Sequence, residues 1–219
     1  MEVDDKGGEG AIGGLLFDLD GVLVDSAAAY RAAWARWAAN HDIDEAAIWS
    51  DAHGRRPEDI IRRVAPDLAL DDALRTFEKA FAAAAGACKA MPGALECLSA
   101  LPPGSWAIVT SGRSALVRAC LQQSGLPAPA ALVCGDEISR GKPDPECFTL
   151  GAQRLRVEPT SCTVIEDAPA GIEAARAAGM SVIAITTTHD ASALAGADEI
   201  VGSLRAATPR LLSRAAVAS

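Results

Sequence analysis

Short, continuously apolar runs alternate along much of the chain with longer stretches of helical periodicity. Runs of three to five apolar residues favour strands that are covered on both faces of a parallel sheet. The predicted strands are 14–17, 106–109, 131–133, 163–165, 182–185 and 199–201. The predicted helices between them are 113–124, 145–156 and 169–178. This alternation predicts an α/β fold with a doubly wound parallel sheet.

The stretch from residue 27 to residue 90 breaks this alternation, because it contains no convincing strand. Tyr30, Trp34 and Trp37 recur at helical spacing, and the alanine-rich run that ends near residue 90 is strongly helical. We therefore expect 27–90 to form an α-helical cap, with its three tryptophans, Trp34, Trp37 and Trp49, in the cap's own core. Residues 13–26 and 91–219 are expected to form the sheet-containing core, and residues 1–12 a disordered lead-in.

Composition narrows the class of protein further. The formal net charge of −9 argues against nucleic acid or an anionic membrane as a partner. No signal-peptide pattern or membrane-length apolar run is present, so we expect a cytoplasmic protein without a membrane partner. The six cysteines fit no metal-binding spacing and are interpreted as small buried thiols. The sequence does not indicate an oligomeric state.

Polar residues follow several of the predicted strands at their carboxyl ends, where ligands bind in open α/β sheets. Asp18 and Asp20 follow the first strand, 110–112 the second and 166–167 the fourth, while Lys142 lies in the loop after the third. Hard divalent cations prefer oxygen ligands, and Mg²⁺ takes one or two carboxylates together with substrate phosphate. Lysine and hydroxyl groups suit the remaining phosphate oxygens.

Two aspartates separated by one residue have a specific use in such a site. In an extended chain, residues i and i+2 point to the same side. Asp18 could then attack phosphorus as a nucleophile, while Asp20 protonates the leaving oxygen and later activates water. The spacing therefore indicates phosphoryl transfer.

Four segments in order, FDLDGVLVDS (17–26), VTSG (109–112), GKPDPECF (141–148) and EDAPAGIEAARAAGM (166–180), resemble the haloacid dehalogenase superfamily in its phosphatase branch. The resemblance extends from residue 15 to residue 201. It implies a Rossmann-like core with an inserted helical cap and an enzyme that uses Mg²⁺.

The resemblance also implies roles for individual residues. Asp18 would be the nucleophile, and Asp20 the general acid and base, with its backbone carbonyl near the metal. The implied phosphate-binding residues are Thr110, Ser111, Gly112 and Lys142. The implied metal ligands are Asp18, Asp20, Asp167 and, in some relatives, Glu166. Thr110 and Ser111 could also cap the following helix, and Asp25 is interpreted as structural.

The cap contributes a basic segment, HGRRPEDIIRR (53–63), whose simplest interpretation is a solvated helix face. Ion pairs with Glu58 and Asp59 would explain Arg62 and Arg63. The three basic residues that precede the helix are candidates for substrate contact, namely His53, Arg55 and Arg56. Their donors suit the hydroxyl groups of a sugar or polyol.

The best-supported function is a Mg²⁺-dependent phosphatase that hydrolyses a small sugar or polyol monophosphate through an aspartyl phosphate. A phosphosugar mutase of the β-phosphoglucomutase type is the alternative, since its motifs would be the same. A non-catalytic binding module would be expected to lack Asp18, Asp20 or Lys142, all of which are present. A phosphonatase would need a lysine in the cap, where Lys79 and Lys89 lie in no recognisable motif.

Overall fold

The computed structural model describes residues 13–50 and 52–215, so the predicted lead-in 1–12 lies outside the described residues. A parallel six-stranded sheet is flanked by helices, as the alternating pattern predicts. Its strands are β1 (Leu15–Phe17), β4 (Trp106–Val109), β5 (Ala131–Val133), β6 (Thr163–Glu166), β7 (Ser181–Ile185) and β8 (Glu199–Val201). Their spatial order is β5-β4-β1-β6-β7-β8, which places β1 at the centre between β4 and β6.

The sheet is packed between helices that follow its strands along the chain. These helices are α5 (Ala94–Ala100), α6 (Ser114–Ser124), α7 (Glu146–Leu155), α8 (Pro169–Ala177) and α9 (Leu204–Ala215). Two apolar clusters lie on opposite sides of the sheet, because alternate residues of each strand face opposite ways. Leu15 and Phe17 belong to one cluster and Leu16 to the other. The fold is thus an α/β layer structure with a Rossmann-like sheet.

Among the described residues, four α-helices lie between β1 and α5 in the sequence. They are α1 (Ala27–His41), α2 (Glu45–Trp49), α3 (Pro57–Val64) and α4 (Leu70–Ala84). The rings of Trp34 on α1 and Phe77 on α4 are 4.1 Å apart, and Trp37 donates a hydrogen bond to the carbonyl of Ala73. Trp34 and Trp37 are buried as predicted, whereas Trp49 is only half-buried. We refer to residues 27–87 as the cap helices.

A short pair of strands joins the cap helices to the core, and the sequence pattern did not predict it. β2 (Val24–Asp25) pairs antiparallel with β3 (Lys89–Ala90). Two residues are too few to show an alternating or continuous apolar pattern, so only tertiary pairing reveals them. The chain therefore leaves the core and returns to it through two adjacent strands.

A disulfide between Cys88 and Cys120 corrects the expectation that every cysteine is a free thiol. Cys88 immediately precedes β3, and Cys120 lies on α6, so the two are 32 residues apart in sequence and carry no spacing signal. The other four cysteines are free and buried, as predicted. Among the described residues, no helix has both the length and the apolar character needed to cross a membrane.

Candidate active site

Three polar residues predicted to belong to the site converge because they follow neighbouring parallel strands at the same edge of the sheet. Asp18 follows β1, Thr110 follows β4, and Asp167 follows β6. Since β4, β1 and β6 are adjacent, these three residues share one rim. All three line a cavity of about 520 Å³ between the sheet edge and the cap helices.

Lys142 forms the charged centre of this rim. Its Nζ lies 2.5 Å from Oδ1 of Asp18 and 2.7 Å from Oε1 of Glu166. The lysine is only 2% exposed, and its ammonium stands 5.0 Å from the ring centroid of Phe148. A buried ammonium is tolerated only when it is paired and hydrogen-bonded, and the two carboxylates meet that need.

The acids outnumber the cations around Asp18. Burial, together with the neighbouring carboxylates of Glu166 and Asp20, raises the pKa of Asp18 to about 8 against the opposing charge of Lys142. Burial, together with Glu166 and Asp18, also raises the pKa of Asp167 well above its usual value. Burial alone would lower the pKa of Lys142, but the adjacent carboxylates of Asp18 and Glu166 raise it overall. This excess of buried carboxylates is what a bound cation would neutralise.

Glu166 does not occupy the position expected of a metal ligand. Its Oε1 accepts from Lys142, and its Oε2 accepts the backbone N–H groups of Asp167 and Ala168 at 2.8 and 2.9 Å. The side chain is fully buried, and a Cβ at position 171 would lie 1.7 Å from Oε1, so Gly171 is required there. The structure therefore gives Glu166 the role of orienting Lys142 and does not place it among the cavity-lining acids.

Asp18 and Asp167 are suitably placed for a hard divalent cation. Gly21 has φ +83°, and a Cβ there would lie 2.0 Å from Oδ2 of Asp167, so glycine lets that carboxylate approach the 18–21 turn. Thr188 donates to the same Oδ2 at 2.8 Å. The described residues contain no group of three or more His, Cys, Asp or Glu side chains able to hold a metal. Asp18 and Asp167 are nevertheless sufficient, because Mg²⁺ is usually held by one or two carboxylates and keeps several waters.

Asp20 is held by the beginning of α1. Ser26 donates from Oγ to Oδ1 of Asp20 at 2.5 Å, and the hydroxyl of Tyr30 lies 3.4 Å from Oδ2. Burial raises the pKa of Asp20, although the hydrogen bond from Ser26 acts in the opposite direction. Asp25 accepts the N–H of Ala27, in agreement with its predicted structural role, and also lines the cavity.

The predicted phosphate-binding residues 110–112 form a tight turn on the floor of the cavity. Oγ1 of Thr110 accepts the N–H of Gly112 at 3.0 Å, and Thr110 is 1% exposed. Ser111 donates from Oγ to the carbonyl of Gly54 at 2.7 Å. Ser111 thus connects the core side of the site to the loop before α3.

Of the three basic cap residues, His53 and Arg55 line the cavity and Arg56 does not. Arg56 is 4% exposed and pairs with Asp59, with Nε 2.7 Å from Oδ2. It also donates to the carbonyls of Ile138 and Ser139 at 2.8 and 3.2 Å. The expectation that Arg56 contacts substrate is wrong, because its donors already hold the cap helices against the loop that leads to Lys142.

The remaining charges of the 53–63 segment were predicted only in part. Arg62 lies 3.6 Å from Asp59, as expected of a helix-surface pair. Arg63 instead donates to Oγ of Ser50, and Glu58 pairs with Arg113 of the core. These differences follow from contacts between distant segments, which helical spacing does not reveal.

Two residues after β7 were missed from the sequence. Thr188 donates to the carbonyl oxygen and to Oδ2 of Asp167, and Nδ1 of His189 lies 3.0 Å from that carbonyl oxygen. The rings of His189 and His53 are 5.5 Å apart, which brings core and cap together at the cavity. Their position at the carboxyl end of a predicted strand was an available signal.

Comparison with known proteins agrees with this geometry. The family model for haloacid dehalogenase-like hydrolases matches residues 12–179. The chain is 38% identical over 200 residues to hexitol phosphatase A of Escherichia coli, covering 89% of this chain and 93% of that protein. It is 32% identical over 210 residues to 2-deoxyglucose-6-phosphate phosphatase 1 of Saccharomyces cerevisiae, covering 85% of each.

Among solved structures, β-phosphoglucomutase from Clostridium difficile superposes with a TM-score of 0.80 at 22% identity, covering 93% of this chain and 97% of the other. That likeness concerns the fold alone. The family match and the curated phosphatases together show that the chain belongs to the haloacid dehalogenase-like hydrolases and is a phosphoric monoester hydrolase.

Proposed function

We propose that the chain is a Mg²⁺-dependent phosphatase that hydrolyses a sugar or polyol monophosphate through an aspartyl phosphate on Asp18. The observation that carries this proposal is the placement of Asp18 at the cavity floor, with its Oδ1 2.5 Å from Nζ of Lys142. The lysine orients the carboxylate and favours its ionised, nucleophilic form. Asp20 lines the same cavity and is positioned for proton transfer.

The residues present support a reaction in two steps. An oxygen of Asp18 attacks phosphorus, the bond from phosphorus to the leaving oxygen breaks, and protonated Asp20 gives its proton to that oxygen. Water then attacks the aspartyl phosphate, Asp20 takes a proton from the water, and free Asp18 and inorganic phosphate result. Thr110, Ser111 and Lys142 would hold the phosphoryl oxygens during both steps.

A divalent cation would fit between Asp18 and Asp167 together with the backbone carbonyl of Asp20. When bound, it would supply charge neutralisation at the phosphoryl oxygens. The excess of carboxylates and the space that Gly21 leaves for Asp167 support this assignment.

The leaving group would lie under the cap helices, where His53 and Arg55 line the cavity together with Trp34 and Trp49. Arginine and histidine donate hydrogen bonds to hydroxyl groups, and aromatic rings cover the apolar faces of sugars. The named activities of the similar phosphatases, on hexitol phosphate and 2-deoxyglucose 6-phosphate, support a sugar or polyol. The mutase alternative is not favoured, since its support is a likeness of fold.

The test is release of inorganic phosphate from purified protein with and without Mg²⁺. The panel contains hexitol, hexose, glycerol and nucleoside monophosphates, with Asp18→Asn as the inactive control. We expect Mg²⁺-dependent release from sugar or polyol phosphates that the variant does not catalyse. Preference for nucleotides would contradict the substrate class. Conversion of β-glucose 1-phosphate to glucose 6-phosphate without phosphate release would contradict hydrolysis.

A further inference from the structure

A second depression adjoins the active-site cavity on the outer surface of the cap helices. Its volume is about 580 Å³, and we call it the outer groove. It is lined by Arg31, Ala32, Ala35, Glu45, Trp49 and His53. Three of these residues, Arg31, Trp49 and His53, also line the active-site cavity. The two spaces therefore meet along one shared wall.

The outer groove lies between α1 and α2, and small side chains keep it open. Ala32 and Ala35 present only methyl groups to it from α1. On the α2 side the half-buried indole of Trp49 lies against His53, with ring centroids 5.9 Å apart. An aromatic surface thus continues from the mouth of the active-site cavity into the groove.

The charges that border the outer groove define its chemistry. Arg31 and Glu45 are both exposed and stand on different helices, so the groove offers a strong donor and a strong acceptor. Glu45 would repel a second phosphate, and the two charges make the groove unsuited to a purely apolar group. An aromatic surface flanked by a guanidinium and a carboxylate matches an uncharged ring that carries several hydroxyl groups.

We propose that the outer groove binds a second sugar or polyol ring of the substrate, so that the preferred substrates are phosphorylated compounds with two linked rings. The phosphorylated ring occupies the active-site cavity, and the second ring crosses the shared wall to lie on Trp49 between Arg31 and Glu45. This inference rests on the proposed phosphatase function and specifies its leaving group.

The first experiment compares substrates that share one phosphorylated unit. Phosphate release is measured for glucose 6-phosphate and for disaccharide monophosphates that contain it in α or β linkage, with trehalose 6-phosphate among them. We expect kcat/KM for at least one disaccharide phosphate to exceed that for glucose 6-phosphate by about tenfold, the equivalent of one well-formed ring contact. Equal or lower values for every disaccharide phosphate would overturn the proposal.

The second experiment fills the outer groove without altering the active-site cavity. Ala32 is exposed, lines only the groove, and is replaced in Ala32→Trp. The matched control is Ala83→Trp, at an exposed alanine on α4 that lines neither space. We expect Ala32→Trp to lower kcat/KM for the disaccharide phosphate by about tenfold while glucose 6-phosphate hydrolysis stays within about twofold. The control should change neither.

The outcomes separate this inference from the function on which it rests. Absence of phosphate release from every compound would defeat the proposed phosphatase and the outer-groove inference together. Hydrolysis of glucose 6-phosphate with no disaccharide preference, or equal losses on both substrates in Ala32→Trp, would defeat the outer-groove inference alone.

Discussion

The core and cap sides of the cavity are built in different ways. On the core side, Asp18 and Lys142 are 6% and 2% exposed and bonded to each other, so their positions are fixed before any substrate enters. On the cap side, His53 is exposed and Arg55 half-buried. Reacting groups need rigid placement, since small displacements are costly in rate. The difference agrees with the proposal that the core performs the chemistry and the cap selects the leaving group.

The largest expected effect comes from removing the nucleophile. Asp18→Asn keeps the size of the side chain and should lower kcat by at least about 10³-fold on every substrate, because a covalent step is lost. Steady-state phosphate release measures the loss, and circular dichroism checks that the variant is folded. Activity within tenfold of the original protein would break the assignment of chemistry to the core.

Removing the buried lysine should affect both stability and activity. Lys142→Met leaves Asp18 and Glu166 as neighbouring buried carboxylates without their cation, which should lower the free energy of unfolding by about 3–5 kcal/mol. Urea denaturation measures the change. Adding Glu166→Gln should recover part of it, since one uncompensated charge is removed. No recovery in the double variant would contradict the ion-pair explanation.

Metal binding offers a readout that does not depend on turnover. If Asp167 is a ligand, Mg²⁺ at about 100 times its Kd should stabilise the protein by about 2.7 kcal/mol, observed as a rise in Tm. Asp167→Asn should abolish most of this rise. A rise of equal size in the variant would show that the cation binds elsewhere.

The smallest expected effect concerns the contact between the cap helices and the core. Arg56→Ala removes hydrogen bonds to Asp59 and to carbonyls of the 135–139 segment, and should cost about 1.5–3 kcal/mol in the free energy of unfolding. Arg62→Ala, six residues on and exposed, is the matched control and should change it by less than about 0.5 kcal/mol. Equal effects of the two substitutions would remove Arg56 as a contact between cap and core.

Much of the core was predictable because its signals are local. All six strands of the main sheet match the predicted runs to within one residue, since most of them are short and largely apolar runs that the sheet buries. Asp18, Thr110 and Asp167 converge as expected from strand-end positions. The limits of the cap, 27 and 90, remain a prediction; β2 ends two residues before the first limit, and β3 ends at the second.

What sequence reasoning missed depends on contacts between distant segments. Arg55 and Arg56 are adjacent and chemically identical, yet only Arg55 lines the cavity. Arg56 instead donates hydrogen bonds to the backbone carbonyls of residues 138 and 139. Glu166 is turned away from the cavity by Lys142 and by backbone donors that follow it. Cys88 and Cys120 meet only because the segment around β3 packs on α6.

The paired strands β2 and β3 have a consequence for how such an enzyme can change. Because the chain departs and returns at neighbouring points, the segment between them can be exchanged as a unit without moving the ends of the sheet. A new cap would alter which phosphate esters enter, while Asp18, Lys142 and Asp167 keep their places. The paired strands β2 and β3 would therefore allow substrate specificity to change through the cap helices while the residues proposed for hydrolysis stay in place.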